Sequence, residues 1–208
     1  YGANRNGDGF KEAACRKYAP TFEKFAHYHR NHKNKVDKGD LFYGSIKKAA
    51  YNEEMRRVEL LVGLFKNKEA TDKHGDQARI ADKELEKLAR GDDIPVSMAC
   101  RVPYDSCSWC GNQARTRNDY CTASMCKAGG CKENLTRLVK VGGDIHQLHV
   151  DNEHPTWFDI SGVFRPADRI AWGAKADYLV KAAADACDGL FGVCSAKMAE
   201  DLGIMAPL

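Results

Sequence analysis

The chain has 208 residues, 43% hydrophobic and 29% charged, with 32 basic and 29 acidic side chains for a formal net charge of +3. This is the composition of one good-sized soluble domain or two small ones, and it excludes a disordered tail, a collagen and a coiled coil. No apolar run is long enough for a membrane span, the polar opening YGANRNGDGF has no apolar signal-peptide core, and so balanced a charge does not by itself argue for nucleic-acid binding.

Residues 1–20 read as a turn-rich loop around Asn4, Asn6, Gly7, Asp8 and Gly9, followed by a short helix over FKEAACRKYA. Thr21 is a candidate cap for a second helix reaching His29, with Phe22, Phe25 and Ala26 on one face, and NHKNKVDKGD then breaks the pattern. Residues 41–51 and 58–65 read as two strands. The unbroken apolar run VELLVGLF predicts that the second lies in a core. Residues 75–90 carry Ala78, Ala81, Leu85 and Leu88 at helical spacing and close on Gly91. Pro95 opens PVSMACRVPY, expected to be a buried strand. A cysteine-rich insert follows over about 105–132, then strand-like segments at 135–141 and 158–164, and finally two predicted helices at 174–190 and about 195–202. Residues 1–50 hold 11 Lys/Arg against 5 Asp/Glu, which reads more simply as a solvated basic face than as a polyanion site.

Nine cysteines are the odd number in the composition. Six of them, Cys100, Cys107, Cys110, Cys121, Cys126 and Cys131, fall within 32 residues, and an odd total without a secretion signal argues against a disulfide framework. Cys107-Ser-Trp-Cys110-Gly is a metal knuckle: two intervening residues let both sulfurs face one cation, and the glycine permits the tight turn. Cys121 and Cys126 supply a second half, with Cys131 and Cys100 in reserve. Four thiolates around one cation describe a structural zinc site. A redox CxxC would instead sit where a strand enters a helix. Cys15, Cys187 and Cys194 read as helix-packing residues.

Three residues outside the insert are candidates for chemistry. His32 lies in a loop between a helix and a strand, where active-site residues gather. Ser97 lies in an apolar stretch, where a buried hydroxyl bonded to backbone is the simpler explanation. Asp159 is flanked by Phe158 and Ile160 and can face the other side of its strand.

Periodicity cannot join these three residues, but a resemblance does. The order of helix, NHKN, a YGSI strand, the VELLVGLF strand, a KELEKLARGDD helix and a VSMACRV strand resembles the prohead (capsid maturation) proteases of tailed bacteriophages. The Asp159-Ile160-Ser161-Gly162-Val163 segment leading into Pro166-Ala167 is similar to that family's later strand. The ANRNGDGF start is similar to its Asn-Gly-Asp stretch, and CxxCGN with YC to its zinc-knuckle branch. The resemblance covers about residues 3–172.

It implies an α+β fold shared with herpesvirus assemblin: a mostly antiparallel β-barrel surrounded by helices, carrying a small zinc-binding insert. The core would comprise 1–104 and 133–173, the insert 105–132 and the C-terminal helices 174–208. It implies Ser97 as nucleophile, His32 as base, Asp159 (or His154) as orienting residue and an arginine segment at Arg165 for the oxyanion. The implied substrates are phage scaffold and capsid precursors, cleaved inside the assembling prohead in the host cytoplasm. A homodimer is an assembly known for the fold, and neither a membrane nor a specific nucleic acid is implied as partner. The chain departs from the family at Lys33, where an acid is common, at Asp159, where Glu or His is usual, and at Ala123, where the knuckle often closes. A first strand is expected to precede Tyr1. The rival readings are a protease-like head component without activity and a zinc-ribbon nucleic-acid binder.

Overall fold

The computed structural model describes residues 3–64 and 79–173. The predicted helices at 174–190 and 195–202 lie outside the described residues. Two short helices, α1 (Glu12–Tyr18) and α2 (Pro20–Phe25), meet at Ala19, and α2 begins on proline, whose fixed φ suits a first helical position. The second ends at Phe25, not at His29. His27–Arg30 is instead a strand, β2, because Tyr28 must reach the core while its neighbours face the other way. The hairpin β3 (Gly44–Asn52) and β4 (Arg57–Leu64) follows, then helix α3 (Arg79–Ala89), β5 (Val96–Arg101) and, much later, β11 (Thr156–Gly162).

These strands form a five-stranded sheet in the order β4-β3-β2-β11-β5, in which β2 and β11 run parallel and the other pairs antiparallel. One face packs on α1 and α2. Phe22 stacks on Trp157 with ring centroids 4.8 Å apart, and Tyr28, Ile46 and Ile160 join them in the core. The expected barrel does not form among the described residues. The sheet is open, with β4 at one edge and β5 at the other, where only the Pro95–Trp172 bridge and its flanking backbone bonds lie alongside. The fold is thus α+β, mostly sheet with few helices. The edge position also explains why the apolar run of β4 is only half-buried: Val58, Leu60, Val62 and Leu64 pack against the core, while Leu61 is exposed.

Arg101 pairs with Thr156 at the last register position of β5 and β11, so residues 102–155 leave from and return to one end of that strand pair. This excursion builds its own sheet from β6 (Asp105–Cys107), β7 (Gln113–Ala114) and β10 (Val150–Asp151). An N-terminal strand, β1 (Asp8–Gly9), joins it in the order β1-β10-β6-β7. A separate hairpin, β8 (Leu138–Val141) and β9 (Asp144–Gln147), turns through Gly142 and Gly143, both at positive φ as a tight hairpin requires. The excursion has a second core, in which Cys107, Cys121, Cys126 and Cys131 pack with Tyr120, Leu148 and Val150. No helix among the described residues is long and apolar enough to cross a membrane.

Helix α3 presents an unexpected buried face. With Ala81, its most buried residue is Glu84, 2% exposed. The carboxylate accepts a hydrogen bond from the Tyr28 hydroxyl and pairs with the Arg30 guanidinium at 2.8 Å. Burial and the adjacent carboxylate push the Tyr28 phenol well above its ordinary pKa, so it stays a donor. Gly162 leaves room for this trio, since a Cβ there would lie 2.6 Å from both Glu84 Oε1 and the Tyr28 hydroxyl. Glu84→Gln is expected to cost about 2 kcal/mol of unfolding free energy, because two hydrogen bonds to a charged acceptor weaken and Arg30 loses its counter-ion. Urea denaturation checks this, and an unchanged midpoint would contradict it.

Candidate active site and thiol cluster

Across the sheet, Ser97 of β5 stands opposite Ser161 of β11, which in turn neighbours His29 of β2. The adjacent row is Ala99, Asp159 and His27. Side chains two apart on a strand share a face, so Ser97, Asp159 and Ser161 project on the side opposite the core residues Tyr28, Ile160 and Met98. That face is polar and yet buried. Asp159 and Ser161 are fully buried, and His29, 1% exposed, places Nδ1 3.1 Å from the Leu41 carbonyl. Phe42 stacks on His27 with centroids 4.5 Å apart, so the segment entering β3 covers part of the face.

The chain leaves β2 through Asn31 and His32, both left-handed at φ 50° and 55°. Two consecutive non-glycine residues in this region store strain, which the surroundings must hold in place. The Asn31 N–H donates to the Gly162 carbonyl (3.0 Å), the Lys33 N–H to the Arg30 carbonyl (3.1 Å) and the His32 N–H to Ser161 Oγ (3.2 Å). The turn swings the His32 ring back over β11, with Nδ1 3.1 Å from Asp159 Oδ2. The same oxygen accepts a bond from the Asn34 amide at 2.5 Å, and Oδ1 accepts one from the Ser161 hydroxyl at 2.7 Å.

Burial alone would raise the Asp159 carboxyl. The hydrogen bonds from His32, Ser161 and Asn34 outweigh it and hold the group below its ordinary pKa. A carboxylate so held fixes the proton of His32 on Nδ1 and leaves Nε2 as an acceptor. Ser97 is 9% exposed, and its hydroxyl has no hydrogen-bond partner among the described residues.

The structure therefore brings His32 and Asp159 into contact and sets Ser97 on the same face, one strand away. It leaves Arg165 exposed, three residues beyond β11. It also carries His154 elsewhere: the ring bonds the Tyr18 hydroxyl through Nδ1 at 2.7 Å, edge-on to Tyr18 and Tyr104. Asn34 and the role of Ser161 escape sequence reasoning. The Asp159-x-Ser161 spacing carries a signal, since alternate strand residues share a face, but the position of Asn34 depends on a left-handed turn that composition does not announce.

In the excursion, β6 delivers Cys107 to the knuckle, and Gly111 at φ 72° turns the chain back so that its N–H reaches the Cys107 carbonyl. The sulfurs of Cys107, Cys110, Cys121 and Cys126 all lie within 4.8 Å of one another, Cys110 exposed and the other three buried. A tetrahedral cation with bonds to sulfur of about 2.3 Å sets its ligands about 3.8 Å apart, which this group can meet with small movements.

Backbone amides are already turned on the sulfurs, from Cys110 to Cys107 at 3.5 Å and from Cys131 to Cys121 at 3.3 Å. Burial raises the Cys107 thiol, but the amides of Cys110 and Trp109 and the neighbouring thiols outweigh it and bring it below its ordinary value. Burial pushes Cys121 up to about 12. The four thiols fit a metal ion. Cys100 is not among them; it packs on the core side of β5, where burial pushes its thiol up to about 12. No protein-family model, curated protein or solved structure matches the chain.

Proposed function

We propose that this chain is a serine endopeptidase of the prohead-maturation type, cleaving scaffold and capsid precursor proteins inside the assembling phage head. The contact between His32 and the buried, triply hydrogen-bonded Asp159 carries the reading, together with the place of Ser97 on the same sheet face. No other titratable group on this face is braced in this way among the described residues.

In this reading Ser97 Oγ attacks the scissile carbonyl, and His32 takes its proton through Nε2 and returns it to the leaving amine. Asp159 holds the ring in the tautomer that makes Nε2 a base and stabilises the imidazolium that forms. The His32 side chain is 38% exposed, so substrate can reach it, while Asp159 is sealed from water. Apo hydrogen bonds between nucleophile and base are often long, and the Ser97–His32 contact would close when substrate packs over the face. Arg165 is the oxyanion residue that the family resemblance suggests. The fold reading that goes with this function is an assemblin-like one with an open sheet.

Zinc is the cation we assign to Cys107, Cys110, Cys121 and Cys126. It would tie down the excursion between the strand of Ser97 and the strand of Asp159, and four sulfurs leave no open position for chemistry. The test is covalent labelling with a fluorophosphonate followed by peptide mapping. Modification confined to Ser97 is expected. An unlabelled protein, or a label on another serine, would reject the peptidase and favour a protease-like head component without activity.

A further inference from the structure

The thiol cluster holds one cysteine more than a four-coordinate cation takes. Cys131 opens the helical turn α4 (Cys131–Asn134), is 1% exposed and stands outside the group of four. It is nevertheless tied to that group from several sides. Its Sγ lies 3.2 Å from Sγ of Cys107 and 3.6 Å from the His149 carbonyl oxygen, and its N–H donates to Cys121 Sγ at 3.3 Å. The remaining described thiols sit elsewhere, Cys15 on α1 beside the Phe10 carbonyl and Cys100 on β5. A spare thiol touching a ligand sulfur is a defined chemical situation: closing 3.2 Å to the S–S bond of about 2.05 Å needs a small rotation of two side chains.

We propose that Cys107 and Cys131 form a hydroperoxide-sensitive modification site, in which Cys131 resolves oxidised Cys107 and the cluster gives up its metal. The Cys107 thiolate attacks a peroxide oxygen, forming a sulfenic acid and releasing hydroxide as the O–O bond breaks. The Cys131 thiol then attacks the sulfenic sulfur, forming the disulfide and releasing water, with Cys131 supplying the proton. Two thiol sulfurs are oxidised and one peroxide is reduced. A Cys107 sulfur bound in a disulfide is no longer a thiolate ligand, so three thiolates remain for the cation. Ser108, the chain neighbour of Cys107, lines two surface cavities of about 330 and 280 Å³, both bordered by His149, whose carbonyl touches Cys131 Sγ. The inference stands on the cluster alone and is independent of the peptidase reading.

The test uses the full chain loaded with zinc and treated with hydrogen peroxide. Metal release is followed with a chromogenic chelator, and disulfides are mapped by mass spectrometry without reduction. The first bond formed is expected to join Cys107 to Cys131, in step with metal release, and dithiothreitol with added zinc should reverse both. Cys131→Ser should retain its metal and release it about tenfold more slowly under peroxide. Three results would overturn the proposal: a first disulfide elsewhere in the wild-type chain, equal release rates in the variant, or a variant that purifies without metal, which would make Cys131 a ligand. The wild-type map decides the matter even if Cys131→Ser folds poorly.

Discussion

Asp159→Asn is expected to lower peptide cleavage by about four orders of magnitude while leaving KM nearly unchanged. Three donors converge on the wild-type carboxylate: His32 Nδ1, the Asn34 amide and the Ser161 hydroxyl. An asparagine offers one oxygen in place of two, so its N–H₂ group faces either Ser161 or His32 and Asn34 together. Presented to His32, that amide favours the tautomer with the proton on Nε2, and a ring protonated there cannot accept the Ser97 proton. The variant should also fold less stably by about 2 kcal/mol, since hydrogen bonds to a charged acceptor are lost.

Its pH dependence has a definite sign. The folded carboxyl lies below its ordinary pKa, so the stability it contributes is complete above the unfolded value of about 3.9 and is lost as pH falls through the folded one. The wild-type chain should therefore lose stability more steeply on acidification than Asp159→Asn. Activity assays with a cleavable scaffold peptide, together with acid denaturation, read both effects. Cleavage within tenfold of wild type would remove Asp159 from the mechanism.

The parts of this site that are local in sequence are the parts that reading the sequence finds. Cys107 and Cys110 announce a knuckle because two-residue spacing and a following glycine are enough to build one, and Cys121 and Cys126 follow from proximity. His32, Ser97 and Asp159 are identified through a resemblance; nothing in their own spacing would pair them, because only the register of β2, β11 and β5 brings their parts of the chain to one sheet face.

Where local pattern and tertiary demand conflict, the pattern misleads. Residues 21–29 have helical spacing, yet His27–Arg30 is the middle strand of the sheet, since β3 and β11 both need it as partner. The run from Val58 to Leu64 reads as a core strand but packs only one side on the core from an edge position, because hydropathy does not tell a central strand from one that borders solvent. The helical spacing of residues 75–90 does not mark Glu84 as a buried position. Only the approach of Tyr28 and Arg30, more than fifty residues away, makes its burial tolerable.

Gly130→Ala should abolish metal retention, whereas Gly111→Ala should leave it nearly intact. Both glycines have positive φ, 77° and 72°, so both variants carry backbone strain of about 1 kcal/mol or more, and Gly130, with ψ 139°, carries the larger share because it lies outside the left-handed helical region. They differ in what surrounds them. Nothing lies within 4 Å of a Cβ at position 111. At position 130 it would meet only backbone: Thr122 C at 2.4 Å, Cys121 O at 2.6 Å and Ala123 N at 2.7 Å. The Gly129–Gly130 strap crosses directly over the segment that begins at Cys121, and the Lys132 N–H is bonded to the Cys121 carbonyl at 3.1 Å.

An extra methyl group there must lift one segment off the other, moving Cys121 away from Cys107 and Cys110. We expect a loss of about 3 kcal/mol or more in the stability of the excursion, equivalent to at least a hundredfold in zinc affinity. Elemental analysis should find about one zinc per chain in the wild type and in Gly111→Ala, and little in Gly130→Ala. Structural zinc sites draw their folding energy from the metal, so chelation of the wild type should reproduce the lowered thermal midpoint of Gly130→Ala. If Gly130→Ala retains its zinc and its midpoint, the strap is not what sets the position of Cys121.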